Sequence, residues 1–191
     1  MPRRRYIFDP PERFVAGTVG EPGERTFFLQ ARDGGRLVSV VLEKVQVAVL
    51  ADRLNRLLDE LEERGVTVPT VAAAALAADA EPLDEPIVEA FRAGTLTLGW
   101  DGASDRVLVE ARAQTEDDVE AAEEEVDAVT EDDAEDGPDL FRVMLSAPAA
   151  RAFVHRAARV VASGRPPCPL CGQPLDPLGH ICPRRNGHYV N

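Results

Sequence analysis

Residues 37–42 form a short, β-branched apolar run, Leu37-Val38-Ser39-Val40-Val41-Leu42, with the length and composition of a strand. Past Glu43 and Lys44 the period lengthens. Val47, Leu50, Leu54, Leu57, Leu58 and Leu61 recur at the i, i+3, i+4 spacing that lines one face of a helix. The same succession returns 103 residues later. Residues 140–146 read as a strand, and Ala150, Phe153, Ala157, Val160 and Val161 mark a second helix face, with Gly164 where Leu61 stood.

Upstream, Phe14-Val15-Ala16-Gly17-Thr18-Val19 lines up with Phe91-Arg92-Ala93-Gly94-Thr95-Leu96 at an offset of 77, each Phe preceded at two residues by Glu12 or Glu89. Leu29-Gln30-Ala31-Arg32 then matches Val109-Glu110-Ala111-Arg112 at an offset of 80. Turn chemistry separates the strands in both places, Gly20-Glu21-Pro22-Gly23 and Asp101-Gly102-Ala103-Ser104. The pattern predicts an α+β fold made of a duplicated β-β-β-α unit with pseudo-two-fold symmetry, mainly antiparallel strands and two long helices. A unit of this size buries only about 60% of its unfolded surface, so two copies are expected to share one core. The first repeat spans residues 1–68, an Ala-rich connection 69–88, the second repeat 89–164, and a tail 165–191. Within the connection, residues 71–80 suggest a short outer helix, and the prolines at 82 and 86 an extended path. Gly17 and Gly94 fall inside strands, which implies a bulge or close packing.

Charge adds one feature. The net charge is −13, yet residues 116–136 hold thirteen acids and no Lys or Arg; without them acids and bases balance at 21 each. The length difference between the repeats lies in this acidic insert, residues 114–139, which is expected to be disordered or loosely helical. Such a segment repels nucleic-acid phosphates, which disfavours DNA or RNA as partner. No apolar run has the length of a membrane span, and the basic start Arg3-Arg4-Arg5 is followed by Asp9-Pro10-Pro11 rather than a leader's apolar stretch. A cytoplasmic protein without membrane attachment is the expectation.

All three cysteines lie in the last 24 residues. Cys168-Pro169-Leu170-Cys171-Gly172 has the spacing of a zinc knuckle: two thiolates two residues apart converge on one ion, and the glycine allows the turn. His180 and Cys182, two apart, would point to the same side of an extended segment and supply the second pair. Cys168, Cys171, His180 and Cys182 are therefore the expected ligands of a structural Zn2+, with His188 the alternative to His180. Four protein ligands leave no open position for catalysis. The remaining chemistry is sparse. His155 on the second helix face reads as a surface residue, Arg53 with Arg156 and Arg56 with Arg159 as a solvated face or an anion-binding pair of patches, and no phosphate loop or nucleophile elbow occurs.

Phe8-Asp9-Pro10, Ala16-Gly17-Thr18, Leu98-Gly99-Trp100-Asp101 and the stretch from Gly164-Arg165-Pro166-Pro167-Cys168 to Gly179-His180-Ile181-Cys182-Pro183 carry a family likeness. The chain resembles a domain-of-unknown-function family of high-GC Gram-positive bacteria described as a conserved repeat protein. That resemblance implies the duplicated scaffold and no defined activity. The expected function is a non-enzymatic binding or adaptor protein whose partner is another protein. The alternative is a metal-dependent hydrolase with water on the zinc and the inter-repeat groove as substrate site.

Overall fold

A computed structural model of the chain describes residues 3–115, 126–128 (backbone only), 136–164, 168–171, 182 and 184. Alternation along residues 26–42 sorts the side chains by face. Phe27, Leu29, Ala31, Val38, Val40 and Leu42 enter the main core, while Phe28 and Val41 join a separate cluster on the opposite face. These residues form β3 (Thr26–Asp33) and β4 (Arg36–Leu42), preceded by β1 (Arg5–Phe8) and β2 (Arg13–Val19). The helical period then gives α1 (Lys44–Glu63) and, after a bend, the short α2 (Val71–Ala77). The second half contributes β5 (Glu89–Asp101), β6 (Arg106–Ala113), β7 (Val126–Ala128), β8 (Leu140–Leu145) and α3 (Ala147–Ala162).

The fold is mixed α+β. The strands lie in one sheet in the order β1-β8-β6-β5-β4-β3-β2, with β7 added beside β5. Neighbours β2–β3–β4 and β5–β6–β8 are antiparallel. The two groups meet where β4 and β5 run parallel, with Val40 opposite Phe91. β1 lies parallel to β8 at one end of the sheet, Arg5 opposite Leu140. Beyond the end of β4, the edge of β5 is taken by β7, Leu96 to Leu98 pairing with Val126 to Ala128. That strand falls inside the acidic segment; residues 116–125 and 129–135, on which the expectation of disorder also rests, lie outside the described residues.

Both long helices cover the same face of the sheet. Val47, Leu50, Leu54, Leu58 and Leu61 of α1 and Ala150, Phe153 and Ala157 of α3 are buried in the main core, as their spacing predicts; Leu57, Val160 and Val161 are partly buried against it. α1 is held at its start by Gln46, whose Oε1 accepts the Glu43 N–H at 2.8 Å. It ends at Gly65, whose φ of 90° lets Val66 N–H return to the Leu61 carbonyl at 2.9 Å. α3 begins at Ser146, whose hydroxyl accepts from Ala149 N–H at 3.4 Å. The helices are joined by Arg151, 4% exposed, which donates to Asn55 Oδ1 and Asp59 Oδ1, both at 2.6 Å. Among the described residues no helix is long and apolar enough to cross a membrane.

The opposite face of the sheet is covered in part by the connection after α2. Leu83 packs with Val15, Phe28 and Val41, with Ile87 against them. Next to it, Asp84 N–H donates to Gln30 Oε1 at 2.7 Å, and Gln30 Nε2 donates to the Asp84 carbonyl at 3.0 Å. The two strand glycines differ in role. At Gly17 a Cβ would lie 2.6 Å from Leu83. At Gly94 the ladder slips: Ala93 opposes Ala113 but Leu96 opposes Ala111, which leaves one extra residue on β5.

Candidate metal centre

α3 stops at Ser163, whose N–H donates to the Arg159 carbonyl at 2.9 Å. Four residues past Gly164 the chain reaches Cys168, and the sulfurs of Cys168, Cys171 and Cys182 lie within 4.8 Å of one another. Cys168 and Cys182 are buried and Cys171 is half-buried. The Cys168 and Cys182 sulfurs are 3.9 Å apart, too far for a disulfide bond of about 2.05 Å. A tetrahedron with metal–sulfur bonds of about 2.3 Å has edges of about 3.8 Å, so this spacing is that of two ligands on one ion. Backbone N–H groups of Cys171 and Leu170 point at Cys168 and lower its thiol to about 6, which favours the thiolate that binds metal. Arg184 donates to the Leu170 carbonyl at 3.0 Å and ties the second part of the tail to the first.

The three cysteines expected as ligands are therefore together, and as soft anionic donors they fit a metal ion. His180 and His188, the two candidates for the fourth position, lie outside the described residues.

Of the four arginines read as a solvated face or a pair of anion-binding patches, Arg53, Arg56 and Arg159 are exposed and only Arg156 requires correction. Arg156 is buried at 7% exposure and donates Nε to the Ala16 carbonyl at 2.7 Å and Nη1 to Asp79 Oδ1 at 2.8 Å. Burial lowers its pKa and Asp79 opposes that effect. Arg56 instead pairs with Asp52 one turn away at 3.0 Å, in the open. His155 is half-buried rather than a surface residue, with its Nδ1 enclosed.

A cleft of about 620 Å3 lies along β2 and the connection, lined by Glu12, Arg13, Arg32, Asp79 and Asp84 among others. Its two arginines are committed to its aspartates. Arg13 donates to Asp79 Oδ2 at 2.6 Å and lies 3.0 Å from Asp84 Oδ2, which Arg32 approaches at 3.1 Å. The hydrogen bond from Arg13 holds the Asp79 carboxyl below its ordinary range, while Asp79 raises Arg13. These ion pairs clamp the connection to β2. Neither Arg13 nor Asp79 stood out in the sequence; their pairing spans 66 positions and leaves no periodic signal.

The model of the family described as "Protein of unknown function (DUF3090)" matches residues 6–182. The chain belongs to this family. The DUF3090 match runs from β1 to Cys182, so all three clustered cysteines lie within it. This agrees with the resemblance to a family defined by a domain of unknown function. No curated protein and no solved structure matches the chain.

Proposed function

We propose that this DUF3090 chain is a non-enzymatic binding or adaptor protein for another protein, stabilised at its end by a structural zinc site of Cys168, Cys171, His180 and Cys182. The observation that carries the reading is the trio of sulfurs within 4.8 Å of one another, Cys168 and Cys182 at the 3.9 Å of two ligands on one ion, with Cys168 favoured as thiolate. His180 supplies the fourth ligand and closes the coordination sphere, His188 being the alternative. The scaffold that bears the site is a duplicated β-β-β-α unit. Three features support duplication. Phe14 and Phe91 open matching stretches in β2 and β5, each the first of three antiparallel strands that lead into a long helix. α1 reaches the other group's first strand through Gln46 Nε2, 3.0 Å from the Gly94 carbonyl. α3 does the same through Arg156 and Ala16.

Metal content measured on the purified full chain tests the site. One equivalent of zinc, lost in both Cys171→Ser and His180→Ala, is the expected result. A His180→Ala chain that keeps zinc and fold but loses a hydrolytic activity would replace the adaptor with an open-site hydrolase. Affinity capture from the native cell with the full chain and with Cys171→Ser tests the partner: a protein retained only by the zinc-loaded chain is expected.

A further inference from the structure

The chain is strongly acidic, yet among the described residues one cleft is lined by no carboxylate. It lies between the β2–β3 hairpin, the start of α1 and the end of α3, and encloses about 480 Å3. Phe27, Val160 and Val161 give it an apolar wall, and Arg25 and Lys44 are its charged residues. A smaller cavity of about 210 Å3 shares Arg25, Phe27 and Lys44 and adds Arg92 and Glu43. Glu43 is already engaged there by Arg92 at 2.6 Å. Among the described residues of both cavities, three cations face one acid, which Arg92 already pairs.

The cations are held in different ways. Arg25 Nη1 donates to the Ser163 carbonyl at 2.7 Å and its hydroxyl at 3.0 Å, which fixes the guanidinium; its Nε is enclosed with no acceptor among the described residues. Lys44 is exposed, has no ion pair among the described residues, and brings Nζ to 3.5 Å from where a Cβ on Gly164 would stand. A fixed guanidinium and an ammonium at the mouth of an apolar cavity match an anion that carries an apolar body.

We propose that this cleft binds a small organic phosphate, its phosphoryl oxygens between Arg25 and Lys44 and its apolar portion against Phe27, Val160 and Val161. The volume lies within the range of about 300–1,000 Å3 usual for small-molecule sites. The site is independent of the zinc reading, and failure of either leaves the other standing.

Two probes of the full chain test it: inorganic pyrophosphate by titration calorimetry, and the aromatic sulfonate anilinonaphthalene sulfonate by fluorescence. Both are expected to bind at one site and to compete. Lys44→Glu is expected to weaken both by about tenfold or more, the effect of losing one charge-assisted contact. Lys44→Met removes the charge without reversing it and should weaken pyrophosphate in the same direction with the melting temperature unchanged. If the cations serve only to complement the end of α3, the variants will lower stability while the native chain binds no pyrophosphate. That result, or pyrophosphate affinity unchanged in both Lys44 variants, overturns the proposal.

Discussion

Gly17 offers a sharp test of how the connection is packed onto the sheet. An alanine there would place its methyl 2.6 Å from Cγ and Cδ2 of Leu83, about 0.8 Å inside the 3.4 Å at which ordinary contact begins. Leu83 cannot easily retreat: it is 8% exposed among Val15, Phe28 and Val41, and the neighbouring Asp84 is pinned at both backbone groups by Gln30. Overpacking of this kind costs about 1–3 kcal/mol. Leu83→Ala alone should cost about 2–3 kcal/mol, since the cluster is small and lies under a connection that can settle. In the Leu83→Ala background the obstruction is gone. Gly17 does not occupy the left-handed region, so the added methyl then only restricts the unfolded chain and stabilises by about 0.4–1 kcal/mol. The two substitutions should therefore couple by about 1.4–4 kcal/mol. Urea denaturation of the four proteins measures this directly. Equal effects of Gly17→Ala in both backgrounds would refute the packing described for Leu83.

Three other outcomes are expected. Asp79, 31% exposed, is held below its ordinary pKa by Arg13, so its stabilisation is complete above about pH 4 and disappears as pH falls through the lowered value. Asp79→Asn should cost on the order of 1–2 kcal/mol at pH 7, with denaturation curves converging on the native chain's as the pH falls through the lowered value. Glu110, 1% exposed, is bonded by Arg112 Nε and Arg142 Nε, both at 2.9 Å. Glu110→Ala removes the carboxylate between two guanidiniums and should cost about 3 kcal/mol, a fall in melting temperature of roughly 6–12 °C by calorimetry. Chelation of the proposed zinc should open the Cys168 and Cys171 amides to hydrogen exchange while α1 and α3 stay protected, because the main core contains no cysteine.

The elements that the sequence reveals are those whose stability is local or amphipathic. Alternation marks β2 to β4, and the 3.6-residue period selects Leu50, Leu54 and Leu58 in α1 and Phe153 and Ala157 in α3. The glycine at 17 and the slip at 94 were both legible, because only a few physical causes place glycine inside a strand. β1 and β7 were not: each is short and pairs in parallel with a strand distant in the chain. The buried polar residues were hidden for a different reason. Arg151 and Arg156 sit on a helix where hydrophobic spacing says nothing about how far a guanidinium can reach, and their acceptors are 77 to 140 residues away. For the candidate metal centre, Cys-x-x-Cys announced the first pair and the structure brings Cys182 to it.

The guanidinium of Arg156 also settles what happens at the last strand of the sheet. A terminal strand offers free backbone groups on which another polypeptide can add itself, the usual beginning of ordered aggregation. In β2 the carbonyl of Ala16 is already occupied from the side by α3, and the same side chain is anchored to Asp79. One buried cation thus acts as a guard rail at this point of the edge, removing one acceptor that an added strand would need.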